Sequence, residues 1–288
     1  VLTGSDPEGG SPADIAFTDD GETIIIAHRE SGNLILWDAD TRAFLGSASI
    51  SGLAQSVDVT PDGQTAVVAG INTQTAHIVD LGTLTETDVI GIGQVPGYVS
   101  ISPDGTTAAV HAAADGETYL IDIATATVLG SVPAIDSWGR LSFSFEAPAV
   151  SVLYGGPEFI DNGRLFNVDL GADEIQFIDA ATGVVNRIGV ADSPFRYGIS
   201  ADGTTAVVAH SGSSRTLTIV DLATETVTGT ISTTFDLSGQ VAVNADATRA
   251  VVAVQNAARV IDLTTGNQIG FELSTASNND IISTFDGQ

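Results

Sequence analysis

Short apolar runs recur along the chain, separated by clusters of Gly, Asp, Asn, Ser and Thr. Across residues 196–231 the runs read RYGIS, TAVVAH, LTIVDL and TVTGTI. They are rich in Val, Ile and Thr and bounded by turn residues, which predicts short strands. No stretch holds the apolar spacing of a helix for three turns. Asp-Gly pairs stand between the first two runs at Asp20-Gly21, Asp62-Gly63, Asp104-Gly105 and Asp202-Gly203. Glycine accepts a positive φ without penalty, so these pairs predict tight hairpins. Glu146-Ala147 and Asp246-Ala247 are degenerate copies. After the third run comes Asp-x-x-Thr, at Asp38, Asp80, Asp122, Asp179, Asp221 and Asp262. There the carboxylate is expected to accept an N–H two residues on, and the Thr hydroxyl to close the same turn.

The six aspartates are separated by 42, 42, 57, 42 and 41 residues. Four short strands per period of this length predict an all-β fold of β-propeller blades, six blades of four strands each. The stretch SPDGTTAAV followed by YLIDIATATVLGSV resembles the YVTN family of surface-layer propellers. LILWDADTRAFLGS, around Trp37 and Asp38, resembles a WD40 repeat without its Gly-His pair. The repeats are expected at about residues 11–50, 51–92, 93–134, 135–192, 193–234 and 235–273 of a single domain, residues 1–288. The fourth carries an insert at 155–174. NNDIISTFDG near the end is similar to ADIAFTDDG near the start, so part of a seven-bladed propeller is the alternative.

Charge changes the picture of partners. The chain has 36 acidic residues against nine basic ones, all of them Arg, for a net charge of -27. Such a surface repels nucleic acid and anionic membranes. The apolar runs are too short to span a bilayer. An acid-rich, Lys-free surface is similar to that of proteins from salt-loving microbes. With no Cys there is no disulfide, thiolate metal site or Cys nucleophile.

Candidate chemistry comes from comparing equivalent positions of the repeat. Four residues before the polar residue that opens each first turn stand Asp14, Ser56, Tyr98, Arg140, Arg196 and Gln240. Two residues later come Ala16, Asp58, Ser100, Ser142, Gly198 and Ala242. Strand alternation puts both sets on one face, expected to line a central channel. The residues between them, Ile15, Val57, Val99, Leu141, Tyr197 and Val241, are expected to face the cores. The second strands end at His28, Gly70, Ala112, Tyr154, His210 and Val254. Asp14, His28, Tyr98, Trp138, Arg140, Arg196 and His210 are therefore the candidate ligand residues at a channel mouth. Two guanidinium groups there suit a carboxylate, phosphate or sulfate. Asp161, Asp169, Asp173 and Glu174 are candidate Ca²⁺ ligands, because Ca²⁺ takes oxygen donors from flexible loops. His77 is expected to be a half-buried strand residue, and the Asp-x-x-Thr aspartates to be turn formers.

Motifs for zinc hydrolysis, a serine elbow, a phosphate loop or an EF-hand do not occur. The composition and the resemblance imply a non-catalytic interaction or structural module of an exported or cell-surface protein, with periplasmic placement as the alternative. Its partners would be a protein, a small anionic ligand or neighbouring domains of a surface assembly. The competing expectation is a lactonase- or lyase-like propeller that uses a metal or a His at the mouth.

Overall fold

The computed structural model describes residues 11–133, 158–161, 163–169, 172–200, 202–237, 239–254 and 257–274. Every regular element among them is a strand. The strands form six four-stranded antiparallel sheets, each a simple meander. The first holds β1 (Pro12–Phe17), β2 (Thr23–His28), β3 (Asn33–Asp38) and β4 (Phe44–Ser49). The second holds β5 (Ala54–Val59), β6 (Thr65–Gly70), β7 (Thr75–Asp80) and β8 (Thr85–Gly91). The third holds β9 (Pro96–Ile101), β10 (Thr107–Ala112), β11 (Glu117–Asp122) and β12 (Thr127–Pro133). The fourth holds β13 (Glu158–Phe159), β14 (Arg164–Asp169), β15 (Glu174–Asp179) and β16 (Val185–Gly189). The fifth holds β17 (Pro194–Ile199), β18 (Thr205–His210), β19 (Thr216–Asp221) and β20 (Thr226–Ser232). The sixth holds β21 (Val241–Val243), β22 (Arg249–Val254), β23 (Ala257–Asp262) and β24 (Gln268–Ser274).

These sheets fall into two compact units, Val1–Ile135 with Asp161–Gly163, and Asp136–Ile160 with Arg164–Gln288. In the first unit the second and third strands carry the core. Ile25, Ala27 and Leu34 of the first sheet pack with Val57, Ala66, Val68 and Val79 of the second. In the second unit Phe166, Ile175 and Phe177 of the fourth sheet pack with Tyr197, Val208 and Val220 of the fifth. The fifth meets the sixth through Val207, Leu217, Val241, Val252 and Ile261. Within each unit a sheet thus buries a face against the next. A fully buried Val, Leu or Ile contributes about 1.5–3 kcal/mol relative to an exposed one. Of the residues expected to face the cores, Val57, Val99, Tyr197 and Val241 are buried and Ile15 is half-buried, while Leu141 lies outside the described residues.

The fourth sheet corrects the sequence reading. Residues 155–174, expected to be an insert, contain its first two strands, β13 and β14. The turn between them is Asp161-x-Gly163, where the Gly163 N–H donates to Asp161 Oδ1 at 2.9 Å, as in the Asp-Gly turns of the other sheets. The degenerate Glu146-Ala147 drew the register upstream, away from a better turn. Ile160 is therefore the equivalent of Thr18, and Asp169 rather than Tyr154 ends the second strand. The extra residues precede this sheet. Trp138 and Arg140 lie outside the described residues.

Candidate functional site

Two turns recur in the sheets and account for much of the acidic composition. In the first, Thr18 Oγ1 donates to Asp20 Oδ1 at 2.6 Å, and the Glu22 N–H donates to the same oxygen at 2.9 Å. The Thr23 N–H donates back to Thr18 Oγ1 at 3.0 Å. Thr60 with Asp62, Ser102 with Asp104, and Ser200 with Asp202 repeat the arrangement. Gly21 at φ 71° takes the left-handed position that favours glycine. In the second turn the N–H of Thr41, Thr83, Thr125, Thr182, Thr224 or Thr265 donates to its aspartate at 2.7–2.8 Å. The aspartate thus accepts an N–H three residues on, and at Asp262 it also accepts the expected one two residues on, from Thr264 at 3.0 Å. Thr41 Oγ1 also donates to Asp38 at 2.7 Å, an interaction that Thr125, Thr182 and Thr224 share.

The inner strands carry the departures from the repeat. A bulge interrupts the β1–β2 ladder between Pro12 and Asp14, and the β5–β6 ladder between Ala54 and Ser56. The same register shift stands between Pro194 and Arg196, and opposite His111 and Ala112 in the third sheet. Asp14, Ser56, Tyr98 and Arg196 each follow such a bulge directly. A bulge re-aims the side chains beside it, so one position is presented alike in four sheets.

In the first unit, Asp14, Ser56 and the nearby Asp58 touch the first strand of the next sheet. Asp14 Oδ2 accepts Ser56 Oγ at 2.7 Å and the Val57 N–H at 3.1 Å. Asp58 Oδ2 accepts the Ile101 N–H at 2.8 Å, and Oδ1 accepts its neighbour Val59 at 2.9 Å. The two carboxylates thus tie β1 to β5 and β5 to β9. Burial pushes the Asp58 carboxyl well above the usual carboxylate range, and the nearby Asp14 and Asp19 add to this against its two backbone hydrogen bonds. In the second unit glycine solves the same problem: a Cβ on Gly198 would lie 2.5 Å from Val241 O. Arg196 is buried, with its guanidinium carbon 3.7 Å from the Phe195 ring centroid and Nη1 donating to Phe195 O at 3.1 Å. Tyr98 is half-buried and pairs with His111 across the β9–β10 ladder.

All four histidines are buried. His28 ends β2, where its carbonyl accepts the Gly32 N–H. His210 Nδ1 lies 2.9 Å from Ala191 O and Nε2 lies 2.8 Å from Thr218 Oγ1, so the sheet uses both ring nitrogens. Burial lowers its pKa, against the Ala191 and Asp192 backbone carbonyls and the nearby Asp173 and Asp192 carboxylates. His111 Nδ1 lies 3.4 Å from Thr118 Oγ1, and burial lowers its pKa to about 4. His77, expected to be half-buried, is fully enclosed. Its Nδ1 lies 2.6 Å from Glu86 Oε1 and its Nε2 lies 2.8 Å from Thr75 Oγ1. Nothing in the repeat singled out Glu86, because the bulge at Thr87 sets its register and bulges are not visible in a period.

A shared slot explains where these polar groups go. The last residue of a second strand and the third residue of the next strand point to one place on the sheet face. In the second sheet the pair is Gly70 and His77, where a Cβ on Gly70 would meet His77 Nε2. In the fifth it is His210 and Thr218, and in the fourth Asp169 and Gln176, whose Nε2 donates to Asp169 Oδ2 at 3.1 Å. One side of each pair is large where the other is small or matched by a hydrogen bond.

The candidate calcium ligands are engaged locally. Asp161 caps its turn, and Asp169 accepts the Ala172 N–H and Gln176 Nε2. Asp173 accepts the Ser193 N–H at 2.6 Å, and Glu174 pairs with Arg187 at 3.0 Å. Among the described residues no group of three or more His, Asp or Glu is placed to hold a metal ion. No helix among them is long and apolar enough to cross a membrane.

No protein-family model matches the chain, and no curated protein matches it. Its likeness is to solved structures, of which 1748 chains match, so the architecture is widely shared and does not select a function. One is a protein from Desulfotomaculum acetoxidans DSM 771, described as functionally unknown. It is 15% identical with a TM-score of 0.68, over 92% of this chain and 86% of that one. The two share a fold.

Proposed function

We propose that the six sheets are the blades of one β-propeller of the YVTN type, and that it serves as a non-catalytic interaction module of an exported or cell-surface protein. The observation that carries this is the division of labour within the repeat. Turns and cores recur from sheet to sheet, and the bulge recurs in four of the six. One register, immediately after the bulge, changes freely as Asp14, Ser56, Tyr98 and Arg196. A scaffold that repeats its framework and varies one position is organised for recognition. The acidic, Lys-free surface favours an extracellular or salt-rich setting and a partner that is not nucleic acid. The ligand class best suited to the bulged strand of the fifth sheet is an anionic group, held by Arg196.

The test has two arms. A density map should show six sheets around one axis; seven complete sheets within this chain, or an open array, overturn the propeller. Phosphate, sulfate and citrate should raise the Tm of the wild type at constant ionic strength and lose this effect in Arg196→Ala. Equal shifts in both proteins remove Arg196 from recognition.

A further inference from the structure

The second sheet holds a cluster that the interaction reading does not use. Glu86 lies on β8, His77 and Thr75 on β7, Thr73 in the turn before β7, and Ser51 in the loop before β5. Glu86 Oε1 accepts the Ser51 N–H at 3.0 Å and Ser51 Oγ at 3.1 Å, which fixes the carboxylate. The same oxygen faces His77 Nδ1 at 2.6 Å. That contact puts a proton on Nδ1 and leaves Nε2 as the acceptor. Nε2 lies 2.8 Å from the Thr75 hydroxyl, which the Thr73 hydroxyl also contacts. Two glycines make room for the ring, since a Cβ on Gly52 would lie 2.8 Å from Nε2 and one on Gly70 closer still. The imidazole is fully enclosed, while Thr75 keeps part of its surface in solvent.

We propose that Glu86, His77 and Thr75 form a nucleophile relay, and that Thr75 accepts acyl groups from activated esters. Carboxylate, imidazole and hydroxyl stand in the order, and at the distances, that activate a hydroxyl for attack on a carbonyl. In the first step Thr75 Oγ1 bonds to the acyl carbon and its proton moves to His77 Nε2. The C–O bond to the leaving alcohol then breaks, and that alcohol takes the proton from Nε2. Thr75 and His77 are catalytic residues in this scheme. Glu86 is a positioning residue that holds the tautomer and the ring. The relay does not rest on the interaction reading, because one sheet and its entry loop supply all of it; labelling of Thr75 would replace the non-catalytic part of that reading and leave recognition at Arg196 to its own test.

The experiment is acylation of the intact chain with p-nitrophenyl acetate, followed by nitrophenolate release and peptide mass mapping. With neither Lys nor Cys in the sequence, background acylation is low. The wild type should carry an acetyl ester on Thr75. Thr75→Val, which keeps the shape and removes the hydroxyl, should lose that ester while its Tm shows that it folds. Thr75→Ser should retain labelling. Glu86→Gln should slow acylation by about 10²-fold or more, the scale of general-base assistance. It should also displace the pH profile of the rate, with Glu86→Asp restoring part of both. Acetyl groups scattered over other side chains, no labelling of the folded wild type, or a Thr75→Val rate equal to the wild type overturns the proposal and leaves the cluster a structural tie.

Discussion

Phe166 shows how a single side chain binds two sheets of the second unit. It is fully buried and meets Phe177 at 5.4 Å and Tyr197 at 5.0 Å, both edge to face. Phe166→Ala should cost about 3–5 kcal/mol in denaturant unfolding, from lost transfer energy and the cavity left behind. A loss under about 1 kcal/mol would mean that the site collapses around the gap. Gly198 carries the opposite constraint, since it leaves no space for a Cβ against Val241 O. Gly198→Ala should force β17 and β21 apart and lower stability by about 1–3 kcal/mol. An unchanged Tm would show that the inner strands slide freely. Gly198 was legible in the sequence as a small residue at the inner register, but its reason was not. That register reads as channel lining, whereas Asp14, Asp58 and Gly198 serve the neighbouring strand. Sequence spacing gives the face of a strand and cannot give the distance to the next one.

At the scale of the element, the turns determine how stability responds to acid. Asp38, Asp80, Asp122, Asp179, Asp221 and Asp262 are all lowered by hydrogen bonds from the turn that each closes. A lowered carboxyl contributes stability above its unfolded pKa, about 3.9, and loses it as pH falls through the folded value. His111 acts in a higher window. It is neutral in the fold down to about pH 4, whereas an unfolded His protonates at about 6.5. Protonation between those values therefore favours the unfolded chain, by an amount on the order of 3 kcal/mol. Asp58 opposes the histidine alone, because a raised carboxyl is stabilising below its unfolded pKa of about 3.9 and loses that contribution as pH rises through its folded pKa. Tm should fall in two stages on acidification, from about pH 6.5 to 4 and again below about 4. His111→Gln should reduce the first stage, to which the lowered His210 also contributes, and leave the second. A single stage in the wild type, or a variant with both intact, contradicts this account. The turns themselves were legible, since Asp-Gly and Asp-x-x-Thr name their own hydrogen bonds. The fourth sheet was not, because a degenerate pair and the true turn at Asp161 compete within one long interval.

For the whole molecule, charge repulsion is the large force that the fold leaves unbalanced. A net charge of -27 with nine cations leaves most carboxylates facing one another through solvent. Screening shortens the range of that repulsion from about 10 Å at 0.1 M salt to about 3 Å at 1 M. Thermal unfolding should shift upward between low salt and about molar NaCl, and a comparable shift at millimolar calcium, where screening is weak, would point to bound ions instead. A flat response to both would show that turn hydrogen bonds already absorb the repulsion. The count of sheets was legible because the period is set by local turns. The bulges before Asp14, Ser56, Tyr98 and Arg196 were not, since they leave no mark in composition or spacing.

The slot shared by Gly70 and His77, and by His210 and Thr218, has a consequence for how such repeats diverge. The imidazole has changed sides between the second and fifth sheets, and no single substitution takes one arrangement to the other. Gly70→His alone crowds two rings into one slot, while His77→Thr alone strands Glu86 beside a hollow. Made together, the two changes rebuild the pair already present in the fifth sheet. Their costs should therefore be strongly non-additive, with a coupling of about 0.5–3 kcal/mol. A lineage copying one repeat into another must inherit the two positions as a couple, or pass through a small residue on both sides before either histidine can appear.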